Sequence, residues 1–268
     1  MAKKSFGQHF LLDLNVTRKI ARLAGPLEGQ VVIEVGPGPG GLTRALLEAG
    51  AARVIAIEKD PRFIALLAEL ANAANGKLTL VEADALEADE AALLALHAPG
   101  VETAYIVSNL PYNVGTALLI KWLTGPFRPA SMTLMFQKEV ADRIVALVGG
   151  ENYGRLSVLC RATSLAHLVM TLPARAFTPP PKVDSAVVRL DPKPDRPDPA
   201  LLLRLEQVTR AAFGQRRKML RASLKALGGE DLCLRASVAP TARAEEIDLD
   251  GFLRLAQASN PSYVKAYR

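Results

Sequence analysis

Short apolar runs recur along the first half of the chain at residues 31–35, 54–57, 78–82, 104–108 and 132–136. Each reads as a strand; residues 31–35 are strongly β-branched, and the run 104–108 reads as a buried strand. Between them the apolar positions fall at helical spacing, as in Leu42, Ala45, Leu46 and Ala49, or across 116–123. Strands alternating with helices in this way predict a doubly wound α/β sheet. A first helix is expected over 13–24, with Val16, Ile20 and Leu23 on one face and Asp13 near its start.

The pattern changes after residue 160. Runs 167–170 and 186–190 read as two more strands with no helix between them, only the stiff stretch Phe177-Thr178-Pro179-Pro180-Pro181-Lys182-Val183. A hairpin-like pair closing a parallel sheet favours the methyltransferase version of this fold over the dehydrogenase one. Residues 191–199 then hold four prolines in nine positions and no apolar side chain, which predicts a semi-rigid linker. Helical patterns follow at 200–212, 215–227, 232–237 and 249–258. The expected organisation is an N-terminal arm and α/β domain over 1–190, a linker over 191–199 and a small all-α domain over 200–268.

Composition narrows the functional classes. The chain has 268 residues, half of them hydrophobic, enough to bury a full core. It has no run of about 18 apolar residues, so no membrane span is expected, and Met1 to Phe10 does not read as a secretory leader. Cys160 and Cys233 are too few and too isolated for a disulfide framework, and His9, His97 and His167 have no ligand spacing, so no metal is expected. This pattern fits a reducing cytoplasm. Of the net charge of +6, residues 201–268 carry +5, from 12 Lys and Arg against 7 Asp and Glu. That points to a polyanionic partner for the C-terminal part. The cluster Arg210, Arg216, Arg217, Lys218, Arg221 and Lys225 could form a solvated face, but with Phe213 and Gly214 at the turn phosphate contact is the favoured reading.

Candidate chemistry lies where the strands end. Gly36-Pro37-Gly38-Pro39-Gly40-Gly41 follows the first strand and opens a helix, the arrangement that brings backbone close to a nucleotide-like ligand. Glu58 ends the second strand 22 residues after Gly36, where a carboxylate accepts from two ribose hydroxyls. Nicotinamide, flavin and S-adenosylmethionine proteins share this much; the two prolines in the turn argue mildly against a pyrophosphate ligand. Asp84, at the end of the third strand, has two readings, an acceptor for an adenine amino group or the N-cap of a helix over 85–96. Asn109-Leu110-Pro111-Tyr112 sits at the carboxyl end of the fourth strand. An amide, a carbonyl ahead of proline and an aromatic face are what a site needs to hold a flat base by its exocyclic amine. Phe177 reads as packing beside the proline turn, or as a second aromatic face opposite Tyr112.

Seven ordered motifs together resemble the small-subunit rRNA adenine N6-dimethyltransferase family, the bacterial KsgA/RsmA and eukaryotic Dim1 group. They are Phe6-Gly7-Gln8-His9-Phe10-Leu11, Glu34-Val35-Gly36-Pro37-Gly38, Asn109-Leu110-Pro111-Tyr112, Gln137-Lys138-Glu139-Val140, Tyr153-Gly154-Arg155-Leu156-Ser157, the stretch from Phe177 to Ser185, and Phe213-Gly214-Gln215-Arg216-Arg217-Lys218. The resemblance implies a Rossmann-like S-adenosylmethionine-dependent methyltransferase with a seven-stranded, mostly parallel sheet. The implied activity is dimethylation of N6 on two adjacent adenines in the 3′-terminal hairpin loop of 16S rRNA, within the small (30S) subunit or its precursor, by a cytoplasmic monomer. Cofactor contacts are implied at His9, Leu11, Gly36, Gly38, Glu58, Asp84 and Asn109. His9 stands where relatives often carry Asn, a difference that leaves a backbone contact intact. Base handling is implied at Asn109, Leu110, Pro111, Tyr112 and Phe177, and RNA binding at Arg216, Arg217, Lys218 and Arg221. Three rival readings are a 23S rRNA adenine methyltransferase of the antibiotic-resistance type, a largely non-catalytic assembly or transcription factor on the same fold, and a nicotinamide dehydrogenase.

Overall fold

A computed structural model describes residues 9–260 of the chain. Lys3, Lys4 and the Phe6-Gly7-Gln8 part of the first motif lie outside the described residues. The first half runs β1 (Phe10–Leu11), α1 (Leu14–Leu23), β2 (Val31–Val35), α2 (Gly41–Glu48), β3 (Arg53–Glu58), α3 (Pro61–Ala73), β4 (Leu78–Glu82), α4 (Glu90–His97), β5 (Tyr105–Asn109) and α5 (Gly115–Thr124). It continues with β6 (Ser131–Gln137), α6 (Lys138–Val145), α7 (Arg155–Thr163), β7 (Ser164–Leu172), β8 (Phe177–Thr178) and β9 (Ser185–Pro192). Four further helices follow: α8 (Pro199–Gly214), α9 (Leu220–Ser223), α10 (Gly229–Arg235) and α11 (Leu249–Ala258).

Seven strands form one sheet in the order β4-β3-β2-β5-β6-β9-β7, and β1 pairs separately with β8. The β3–β4, β2–β3, β2–β5 and β5–β6 pairs are parallel, and β9 runs antiparallel to β6. The strand order reverses at β2, between β3 on one side and β5 on the other. In an open α/β sheet the ligand crevice opens at the carboxyl ends of the strands at such a point. Here those ends carry the glycine turn and Asn109.

The β2 segment is buried at all five positions, as its β-branched composition requires for a central parallel strand. Its one polar residue, Glu34, is 1% exposed, and its Oε2 accepts a hydrogen bond from Thr43 Oγ1 at 2.7 Å. Burial raises the Glu34 carboxyl to about 8; the Thr43 hydrogen bond opposes that rise and the Glu58 charge adds to it.

Two local expectations change. The helix expected over 85–96 starts only at Glu90, with Asp89 as its N-cap accepting from the Ala92 amide at 3.0 Å. Residues after Asp84 instead form a turn, in which the Glu87 and Ala88 amides donate to the Asp84 carbonyl. The helix expected over 215–227 shortens to α9 plus a 3-10 turn at Lys225–Leu227, leaving the basic residues 216–218 in a turn.

The chain divides into two compact units. The first holds the residues up to Trp122 together with Phe127–Ala141 and His167–Pro192. The second is not confined to residues beyond the prolines: it takes Leu123–Pro126 and Asp142–Ala166 as well as the residues from Lys193 onward. Within it α7 packs against α8, where Glu206 accepts from Arg155 and from Arg210. Beside them Tyr153 meets the Phe213 ring edge-on and Phe213 lies tilted against Phe252. The stretch expected as a linker is itself anchored, since Lys193 Nζ donates to the Arg161 carbonyl and Arg196 to the Leu123 carbonyl.

Candidate active site

The glycine turn after β2 is shaped by left-handed backbone. Gly36 has φ +67° and Gly38 φ +52°; a Cβ on Gly38 would sit 2.8 Å from the Phe10 ring. Only glycine meets both demands without strain. Across the turn, Glu58 ends β3 and is 4% exposed. Its Oε1 accepts from the Asp60 amide at 2.9 Å and its Oε2 from the Gly38 amide at 3.4 Å. Two backbone donors therefore orient the carboxylate, and each oxygen retains a lone pair for a ligand.

A cleft of about 390 Å³ opens beside this carboxylate, lined among others by Gly36, Glu58, Lys59, Asp84, Ala85, Pro111, Asn113 and Val114. Asp84 Oδ2 accepts from the Lys59 ammonium at 2.7 Å and Oδ1 from the Leu86 amide at 2.9 Å. The Lys59 hydrogen bond, followed by the Leu86 amide, holds the Asp84 carboxyl below its ordinary range. Asp84 lines the cleft and at the same time caps the turn that follows it, its Oδ1 accepting from the Leu86 amide and its carbonyl from the Glu87 and Ala88 amides, although no helix starts before Glu90.

A smaller cavity adjoins it and brings together His9, Phe10, Gly36, Gly38, Glu58 and the four residues from Asn109 to Tyr112. Asn109 closes β5, and its Nδ2 donates to the His9 carbonyl at 3.1 Å. With the donor end committed, Oδ1 is the end that offers an acceptor. Pro111 ends the extended run; its carbonyl accepts from the Val114 and Gly115 amides, which starts α5. Tyr112 Oη lies 2.5 Å from Ser185 Oγ, and burial pushes its phenol up while that hydrogen bond opposes the rise.

The ring beside Tyr112 is that of His9, at a ring separation of 5.4 Å and a tilt of 35°. His9 Nδ1 is 2.8 Å from the Pro179 carbonyl. Phe177, expected opposite Tyr112, is 3% exposed and lies in the core with Leu11, Ile20 and Leu46. The reason is register: β1 and β8 pair Leu11 with Phe177, and alternation along a strand sends that pair to one side. Leu11 is likewise buried, with its carbonyl against Gly41. Sequence reasoning missed the ring contact of His9 and the anchoring role of Ser185, although both lie inside motifs it singled out.

In the second unit Arg216, Arg217, Lys218 and Arg221 are all exposed. Arg216 donates to the Glu151 carbonyl at 2.6 Å and lies 3.9 Å from the Glu245 carboxylate, so part of its capacity is used within the fold. Among the described residues no group of three or more His, Cys, Asp or Glu side chains is placed to hold a metal. None of the described helices is long and apolar enough to cross a membrane.

The family model described as ribosomal RNA adenine dimethylase matches residues 1–260. A ribosomal RNA small subunit methyltransferase A of Caulobacter vibrioides is 69% identical over 259 residues, 97% of this chain and 98% of the relative. A dimethyladenosine transferase of Plasmodium falciparum superposes with a TM-score of 0.73 at 26% identity, covering 92% of this chain and 96% of the other. The 23S rRNA methyltransferase ErmE superposes with a TM-score of 0.65 at 28% identity, over 93% and 98% of the two chains.

Proposed function

The chain belongs to the ribosomal RNA adenine dimethylase family, and from that premise we propose that it dimethylates N6 of two adjacent adenines in the 3′-terminal hairpin loop of 16S rRNA, using S-adenosylmethionine. The observation that carries this reading is the orientation of Asn109 by His9 at the strand end beside the glycine turn and Glu58. The substrate in this reading is the small ribosomal subunit or its precursor, met by a monomer in the cytoplasm.

The residues of the cleft fit the cofactor. Glu58 keeps lone pairs for two ribose hydroxyls, Asp84 faces the same cleft as an acceptor for the adenine amine, and Gly36 and Gly38 leave no side chain in the way. When bound, S-adenosylmethionine supplies an electrophilic methyl group on a sulfonium. The target amine is a poor nucleophile because its lone pair is delocalised into the ring. Asn109 Oδ1 and the Leu110 carbonyl accept hydrogen bonds from N6 and favour a pyramidal nitrogen with a localised lone pair. Tyr112 stacks on the extruded base, a contact worth about 1–3 kcal/mol. Most of the acceleration is then positioning, and the amine proton leaves after attack without a strong base. A monomethylated N6 keeps one N–H, which two acceptors accommodate in a second round.

The 69% identity to a small subunit methyltransferase favours this substrate over large-subunit RNA, given 28% identity to ErmE. The test is transfer of labelled methyl from S-adenosylmethionine to unmethylated small subunits, with large subunits as control and the base identified by mass spectrometry. Dimethyladenosine at two neighbouring small-subunit adenines is expected. Label confined to large-subunit RNA would refute the substrate, and cofactor binding without transfer to either would refute the activity.

A further inference from the structure

Lys121 lies on α5, away from every motif described so far, yet its ammonium is fully committed. Nζ donates to the Ala85 carbonyl at 2.8 Å, to the Ala88 carbonyl, and to Glu90 Oε1 at 2.8 Å. An ammonium has three N–H groups, and these partners use all of them. Glu90 is 3% exposed and also accepts from Trp122 Nε1 at 2.7 Å, so the ion pair is held from both sides.

The two carbonyls belong to the turn that follows Asp84. That turn leaves β4, which stands at the edge of the sheet and, among the described residues, pairs only with β3. On the sheet side it is tied by the Ala83 amide donating to the Glu58 carbonyl at 3.0 Å. Lys59 holds the Asp84 carboxylate itself from an exposed position, and Lys121 ties the backbone of the turn to α5. The helix that carries Lys121 begins directly after Asn113 and Val114, which line the same cleft as Asp84 and Ala85.

We propose that Lys121 is a positioning residue for the adenine end of the cofactor, clamping the Asp84 turn to the helix that follows the catalytic Asn109–Tyr112 segment. The proposal rests on the reading of Asp84 as the acceptor for the adenine amine. Removing the clamp loosens the turn, so Asp84 no longer holds its oxygen at one place in the cleft. The loss then falls on recognition of the amine and not on the fold as a whole.

The test compares binding of S-adenosylmethionine with binding of its 6-desamino analogue, in which hydrogen replaces the adenine amine, by calorimetry on the full chain. The intact protein should prefer the natural cofactor by about tenfold or more, the worth of one hydrogen bond to a charged acceptor. Lys121→Met alone leaves Glu90 buried and unpaired, which is strongly destabilising. The informative variant is therefore Lys121→Met with Glu90→Gln, in which the glutamine oxygen still accepts from Trp122. Its preference should fall below about threefold while thermal unfolding stays cooperative. Lys121→Arg, whose planar fork does not match three converging acceptors, should fall between the two. Asp84→Ala is the control. If it abolishes the preference while both Lys121 variants keep it, the clamp is structural only and the proposal is overturned. If Asp84→Ala leaves the preference intact, the reading of Asp84 fails and the proposal falls with it.

Discussion

The side-chain amide of Asn109 and the backbone carbonyl of His9 meet at 3.1 Å across 100 positions of sequence. This hydrogen bond tells the two ends of the amide apart and leaves Oδ1 as the end able to accept, the role proposed for it toward the target amine. Asn109→Ala should lower single-turnover methyl transfer by about 10²–10³-fold, the scale for losing one preorganised hydrogen-bonding group at a reacting centre. RNA affinity, measured by filter binding, should change far less. An unaltered transfer rate would remove Asn109 from the chemistry.

Tyr112 and Phe177 should separate. Tyr112→Ala is expected to lose the stacking platform, about 1–3 kcal/mol in kcat/KM, while Tyr112→Phe keeps the face and loses only the hydrogen bond to Ser185. Phe177→Ala should instead open a cavity in the core and cost about 3–5 kcal/mol of stability in denaturant unfolding. A Phe177→Ala variant of normal stability with impaired base binding would contradict its place in the core.

Buried Glu34 makes stability depend on pH. Its folded carboxyl titrates at about 8 against an ordinary value of 4.5. Between those values the folded state keeps a proton that the unfolded chain has released, so stability falls as pH rises through that window. One proton contributes a slope of at most about 1.4 kcal/mol per pH unit. Glu34→Gln should flatten this dependence in melts at pH 6 and 8.5, with the variant gaining on the parent at the higher pH. A parallel offset at both values would refute the assignment.

The basic turn should reveal itself through salt. Arg217, Lys218 and Arg221 are exposed, whereas Arg216 is partly engaged by Glu151 and Glu245. Alanine at Arg217 and Lys218 together should weaken RNA binding and reduce the slope of log K against log salt by about 0.7–0.9 for each phosphate no longer neutralised. Arg216→Ala should cost stability as well as affinity. Unchanged salt slopes would place the RNA surface elsewhere.

Much of this was legible in the chain itself. The buried strands β2, β3 and β5 announce themselves through short β-branched runs, and the glycine turn, Glu58 and Asn109 stand at their ends because strand-end position is local information. The helix α11 was legible for the same reason, its apolar spacing running from Leu249 to Ala258. What the tertiary structure alone decided depends on pairings far apart in sequence. That His9 stands beside Tyr112 while Phe177 lies in the core depends on contacts between segments far apart in sequence, the ring contact of His9 with Tyr112 and the pairing of Leu11 with Phe177. Asp142–Ala166 joins the unit of the C-terminal helices because α7 buries its face against α8, and no periodicity within α7 names its partner. Lys121 likewise reads as an ordinary helix cation until the fold brings Ala85, Ala88 and Glu90 around it. Local pattern sets which elements form and what stands at their ends; the convergence of distant backbone sets which side chains share a site.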